Sequence, residues 1–221
     1  MRAKIFKNKA DDAAFEKILH EGLQIHHVEL FSYLLMPNHY HLVLRPLVDG
    51  EMSRFMGWIG GTHAMRYHAH CHTSGPGHLY QQRYKSFPIQ DDEHFLVVCR
   101  YVERNALRAN LVKRAEEWHW SSLWRWLQRP EPEPKLLSAW PLARLPNWVA
   151  RVNEALSKHE LLGLRPPIRV GRERRRELAI RTRARCSWCS IPISFNPWPS
   201  RPLSFSTGKS GPDRGARPTA A

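Results

Sequence analysis

The run of apolar periodicities along the chain predicts an α+β fold built on an antiparallel sheet. Helix-like and strand-like stretches follow one another as helix, strand, strand, helix, strand, helix. Two of the strands are joined by a tight turn, which pairs them as a hairpin and argues against a doubly wound parallel sheet. With 221 residues, 42% of them hydrophobic, the chain can bury one domain's core with some appendage.

Taken in order, Ala14, Phe15, Ile18 and Leu19 recur at helical spacing behind Asp11 and Asp12, predicting a helix from Asp11 to about Gly22. Ile25 to Leu35 is rich in β-favouring residues, and His39 to Leu44 follows after the Pro37-Asn38 break. Ser53 to His70 reads as a long helix ended by Thr73-Ser74-Gly75-Pro76-Gly77. Leu79 to Ile89 alternates aromatic and polar residues and reads as a third strand. Asp91 and Asp92 then cap a helix expected over Glu93 to Asn105. Beyond Trp126 the texture changes. Glu131-Pro132-Glu133-Pro134 breaks regular structure, a helical segment is expected from Trp148 to Leu162, and Arg169 to Arg185 could form a basic helix. Residues 190–221 have the Pro/Ser/Gly/Arg composition of disorder.

Composition removes several classes. A chain with 10% aromatics is not wholly disordered, and no apolar run approaches the roughly 18 residues of a membrane-spanning helix. The first residues are basic without an apolar stretch, so no signal peptide is read. Four cysteines do not make a disulfide framework. A cytoplasmic setting is the expectation. The net charge of +14 points to nucleic acid, but it is unevenly placed: residues 1–162 carry 21 basic and 17 acidic residues, and 163–221 carry 13 and 3. Most of the excess lies in the last quarter.

The chemistry-bearing residues begin with His39-Tyr40-His41. On a strand, positions 39 and 41 share a face, and two imidazoles so placed can hold a divalent cation. Chance pairing among 13 histidines is the competing reading. In the helix that follows, Tyr101 and Asn105 stand four residues apart and so on one side. A tyrosine hydroxyl, ordinarily titrating near 10, needs a nearby cation to act as a nucleophile at neutral pH. An asparagine carbonyl suits a hard cation such as magnesium or manganese. Core packing of Tyr101 and a helix-ending role for Asn105 explain the same residues. Arg83 and Lys85 can meet phosphates and Tyr84 can stack on an unpaired base. Arg100, Arg104 and Arg108 form a stripe beside Tyr101 that is either a solvated face or a phosphate-binding one.

MPNHYHLVL, GHLYQQRYKSFPI and CRYVERNALRANLV together resemble the REP-associated tyrosine transposases, part of the insertion-sequence-200-like, single-tyrosine HUH family. The resemblance spans about residues 4–127 and includes EEWHWSSLW. It implies a ferredoxin-like antiparallel sheet with helices on one face. It also implies metal ligation by His39, His41 and Asn105, with Mg2+ or Mn2+, and a nucleophilic Tyr101. The implied reaction is cleavage and rejoining of single-stranded DNA through a 5′-phosphotyrosine link, on a hairpin-forming repeat, by a monomer or homodimer. Residues 1–127 correspond to the catalytic domain, 128–165 to a linker with a short helical extension, and 166–221 to a basic, disordered tail.

Two departures accompany the likeness. The family's first strand, which lies beside the His-x-His strand in such a sheet, is not seen ahead of Ile5. From about Arg169 the chain does not read like the family's C-terminus, and its composition suits translation out of frame. A catalytically inactive single-strand-binding relic is therefore the alternative to an active enzyme, and a basic RNA-binding protein with a coincidental His-x-His is a third reading. The histidines around Cys71 (His63, His68, His70, His72, His78) lack paired cysteine spacing and are expected at the surface or near DNA. Cys186 and Cys189 lack a second pair for structural zinc. Trp118, Trp120 and Trp124 are expected in the core.

Overall fold

Asn8 starts the first helix of the protein, accepting the backbone N–H groups of Ala10 and Asp11, while the Asp11 carboxylate accepts from the Asn8 N–H. A computed structural model describes residues 4–72, 79–80, 84–164 and 178–183. Helix α1 (Lys9–Ile25) leads into β1 (Val28–Met36), the Pro37-Asn38 turn and β2 (His39–Pro46). Helix α2 (Glu51–His70), the short β3 (Lys85–Pro88) and α3 (Asp92–Arg108) follow. Asp91 caps α3 by accepting the His94 N–H at 2.8 Å, at the place the sequence marks. A 3-10 turn (Ala115–Glu117), α4 (Ser122–Leu127), α5 (Trp148–Asn153) and α6 (Lys158–Gly163) run on, and β4 (Leu178–Arg183) is last. Each sequence-read element up to α3 is present. The third strand is shorter than expected, and the segment from Trp148 is two short helices rather than one. Among the described residues no helix is long and apolar enough to cross a membrane.

The sheet is antiparallel throughout, in the order β1-β2-β4-β3. The position beside the His-x-His strand, where the sequence leads one to expect a gap, is filled by Leu178–Arg183. This corrects the reading of that segment as disordered tail or basic helix; residues 169–177 and 184–221, with the CxxC pair, lie outside the described residues. The physical reason is the unpaired ladder groups of β2 and β3, which a β-favouring Leu-Ala-Ile-Arg-Thr-Arg strand satisfies.

Helices cover both faces of the sheet, not one. Leu30, Tyr33, Leu35, Tyr40, Leu42 and Leu44 face α1 and α2, burying Phe15, Ile18, Phe55 and Ile59. Phe31, Leu34, Met36 and Val43 face α3, with Phe95, Val98 and Val102. The alternation is that of a strand, except at a bulge between Leu30 and Ser32. Burial on two sides explains why β1 reads as a nearly continuous apolar run.

The free edge of β1 is covered. Trp118 Nε1 donates to the Leu35 carbonyl and Trp140 Nε1 to that of Phe31, both at 2.8 Å, and the Leu35 N–H donates to the Trp120 carbonyl at 2.9 Å. Inside the α1–α2 layer, Arg125 is buried and donates to Glu16 at 2.7 Å and to the Tyr33 hydroxyl at 3.0 Å. Its remaining nitrogen donates to the carbonyls of Pro132 and Pro134, which holds the Pro-rich segment against the domain.

His63 departs from its expected place at the surface. It is buried among the rings of Phe6, Phe15 and Tyr67 and hydrogen-bonded to the Tyr80 hydroxyl. Burial pushes its imidazole pKa down to about 3 from 6.5. Burial, with Asp11 and Glu16 nearby, raises the Asp12 carboxyl from 3.8 to about 7. The two groups act oppositely on stability. Between about pH 6.5 and 3 the unfolded chain binds a proton at His63 that the fold refuses, so acidification destabilises. Between about 7 and 3.8 the fold keeps a proton on Asp12 that the unfolded chain releases, so acidification stabilises. Each slope approaches about 1.4 kcal/mol per pH unit. Changing His63→Phe is expected to remove the first slope alone. Between pH 7 and 5 the variant's stability should then rise relative to that of the unsubstituted protein by about 2 kcal/mol, read from urea midpoints. Parallel pH profiles for the two proteins would contradict this account.

Candidate active site

The alternation of β2 places His39 and His41 on the α3 side, with Tyr40 in the opposite core. Both imidazoles are largely buried, at 8% and 4% exposure, and their rings lie 5.0 Å apart, near perpendicular. His39 Nδ1 donates to Asn38 Oδ1 at 2.6 Å, which selects the tautomer whose Nε2 carries the lone pair. Asn38 is the turn residue immediately before the strand, so the same tight turn that pairs β1 with β2 also orients the imidazole.

Tyr101 reaches this pair from α3. Its ring packs edge-on against His41, centroid to centroid 6.0 Å, and is half-buried. Arg108, two turns on and exposed, donates from Nη1 to the Tyr101 hydroxyl at 3.4 Å and lies over the ring at 5.7 Å. Asn105 is buried, and its Nδ2 donates to the Tyr101 carbonyl at 2.7 Å. That bond fixes the amide so that Oδ1 is the group Asn105 can offer a cation.

The donor set fits a divalent cation in part through ordinary ligands. Two imidazoles stand on one face, and among the described residues no three His, Cys, Asp or Glu side chains gather into a metal-holding group. Asn105 carries a neutral carboxamide oxygen, a donor type that hard cations accept.

The remaining sequence-read residues divide. Arg83 lies outside the described residues. Tyr84 is half-buried, its hydroxyl 3.3 Å from Ser53 Oγ, and Lys85 is exposed on β3. Arg100 is 6% exposed, donating to the carbonyls of Arg151, Glu154 and Ala155 and to the Glu160 carboxylate at 2.6 Å. Arg104 donates to the carbonyls of Val152 and Asn153. Both guanidiniums thus satisfy the C-terminal carbonyls of α5, where a cation is favoured. Of the arginine stripe, Arg108 is the member beside the Tyr101 hydroxyl.

Sequence reasoning missed what surrounds the tyrosine. Beside it is an open pocket of about 180 Å³ lined by Tyr101, Arg104, Arg108, Ala155, Leu156 and Leu161. Three of these come from the α5–α6 stretch. Behind Tyr101, the fully buried Glu103 accepts from Ser122 Oγ and Trp148 Nε1, each at 2.8 Å, and pairs with Arg144 at 3.6 Å. Arg144 itself lies between the rings of Trp140 and Trp126, at 3.8 and 4.4 Å.

Residues 1–105 match the family model described as "Transposase IS200 like". The matched span includes His39, His41 and Tyr101 and ends at Asn105. It covers a little under half of the 221 residues, so the likeness to that family lies in the N-terminal part of the chain. No curated protein and no solved structure matches the chain.

Proposed function

We propose that this protein is a REP-associated, single-tyrosine transposase that nicks and rejoins single-stranded DNA in the cytoplasm, acting on a hairpin-forming repeat. The observation that carries the reading is the meeting of Tyr101 with His41, two groups sixty residues apart in sequence whose rings stand 6.0 Å apart. A nucleophile and a cation-holding imidazole in contact are the two parts a phosphodiester cleavage needs.

The Tyr101 oxygen attacks the scissile phosphorus, a bond from phosphorus to the tyrosine forms, and the bond to the 3′ oxygen breaks. The DNA 5′ end is left on Tyr101, the phenolic proton passes to solvent, and the departing strand takes up a proton as a free 3′-hydroxyl. Because the phosphodiester energy is kept in the covalent link, a second 3′-hydroxyl can reverse the step without ATP. Arg108 stabilises negative charge on the phenolic oxygen and on the phosphate approaching it. His39, His41 and Asn105 would hold Mg2+ or Mn2+, which supplies Lewis-acid polarisation of the phosphate.

The test is covalent capture. Incubated with a single-stranded hairpin oligonucleotide in magnesium or manganese, the full chain is expected to form an adduct that survives denaturing electrophoresis, and chelation by EDTA should abolish it. Salt-sensitive binding with no covalent product in either metal would overturn the enzyme reading in favour of a single-strand-binding relic.

A further inference from the structure

We propose that Arg181 and Arg183, in the C-terminal strand β4, are phosphate-binding residues of the DNA site. The proposal rests on the transposase reading for the identity of the anion. Strand β4 lies between β2 and β3, antiparallel to both. In this register Arg183 is the partner of His39, and Arg181 is the partner of His41 on one side and of Lys85 on the other. Directly opposed residues of antiparallel strands share a face, with Cα atoms about 4.5–5.5 Å apart. Arg181 and Arg183 are therefore placed on the face that carries His39, His41 and Lys85. Tyr101 stands over that face, since its ring packs on His41. Ile180 and Thr182 fall on the other face, as partners of Leu42 and Tyr40.

Charge completes the argument. Strands β2, β3 and β4 carry Arg45, Lys85, Arg181 and Arg183 and no Asp or Glu. Arg45 is paired with Glu29 at 2.6 Å, outside this row. A strand that only filled the sheet would continue the apolar pattern of Ala179, which is the register partner of Val43 and Phe87. Instead the basic residues fall at the end of the strand where the histidines and the tyrosine stand. A row of basic positions along the sheet beside the histidine pair suits the regularly spaced anions of a nucleic-acid backbone.

The experiment measures binding of the full chain to fluorescein-labelled oligothymidine by anisotropy across a salt series, for the unsubstituted protein, Arg181→Gln/Arg183→Gln and the equal-charge control Arg214→Gln/Arg217→Gln. Each single-strand phosphate contact contributes about 0.7 to the slope of log affinity against log salt. The strand variant should lose about 1.4 from that slope and bind about tenfold more weakly, while the control changes little. Arg181→Thr/Arg183→Thr repeats the measurement with a β-favouring side chain, and thermal unfolding checks that each variant is folded. An unchanged slope in folded strand variants, or an equal loss in the control, overturns the proposal. Covalent capture run on the unsubstituted protein separates the two readings. An adduct with an unmoved slope sinks this inference alone, whereas a lost slope without any adduct sinks the transposase chemistry and leaves the DNA-binding strand standing.

Discussion

Replacing Tyr101 with phenylalanine is expected to abolish covalent capture of single-stranded DNA while leaving the protein folded and able to bind. The expected loss is on the order of 10^4-fold or more, in effect to background, because no second step replaces a missing nucleophile. The fold should hardly notice. The ring, which packs on His41, is retained, and the hydroxyl makes one long bond, 3.4 Å from an exposed Arg108. Losing a half-exposed hydroxyl of that kind costs less than about 1 kcal/mol. Affinity for the oligonucleotide should stay within about twofold, since the phosphate contacts lie on basic side chains. The decisive readout is therefore a pair: adduct by denaturing gel and affinity by anisotropy. Unchanged affinity with no adduct supports Tyr101 as the attacking group. An adduct that persists in the phenylalanine variant removes Tyr101 from that role, whatever happens to binding.

What the sequence reveals and what it hides follow from the range of the interactions involved. His39 and His41 are legible because a strand alternates and a two-residue turn fixes where it starts. Helix α3 is legible because Asp91 caps it with a side chain close in sequence. Arg100, Arg104 and Arg108 show where local rules stop. Helical spacing says that they share a stripe, but not that α5 ends against two of them and takes up their donors. The same limit applies to the faces of the sheet. Alternation within β1 marks two apolar sides, and only the helices packed on each show that both are covered. Strand β4 is a different case. Leu178, Ile180 and Thr182 do alternate with Ala179, Arg181 and Arg183, yet the surrounding arginines give the region the composition of a tail. Its strand character comes from vacant ladder positions on β2 and β3, elements that lie about ninety residues or more earlier.

The largest loss of stability is expected from Glu103→Ala, two residues on from the tyrosine but on the buried side of α3. The Glu103 carboxylate is fully buried and joins four parts of the chain: Ser32 on β1, Ser122 at the start of α4, Trp148 at the start of α5, and Arg144 between two tryptophans. Burial pulls the Arg144 guanidinium pKa down, and the Glu103 charge acts against that shift. Removing the carboxylate leaves a buried arginine without its counter-charge and the hydroxyl and indole donors without their acceptor. Breaking a buried pair from one side costs about 3–5 kcal/mol, against a total of about 5–15 for a domain. For a chain of this size that corresponds to a fall in Tm of roughly 6–20 °C. Glu103→Gln keeps one oxygen, able to accept from Trp148 Nε1 while its amide nitrogen donates to the Ser122 hydroxyl, but not the charge, and should cost about 1–3 kcal/mol. The order alanine, glutamine, unsubstituted protein is the signature of a charged hub, since simple loss of packing would make the near-isosteric glutamine harmless. Because α5 both rests on this carboxylate and supplies carbonyls to Arg100 and Arg104, weakening it should also loosen the Leu156 and Leu161 wall of the tyrosine pocket. Thermal unfolding of the two variants decides the matter: a Glu103→Ala protein as stable as the unsubstituted one would mean that the network carries no net stability and that the tyrosine helix is held in place by apolar packing alone.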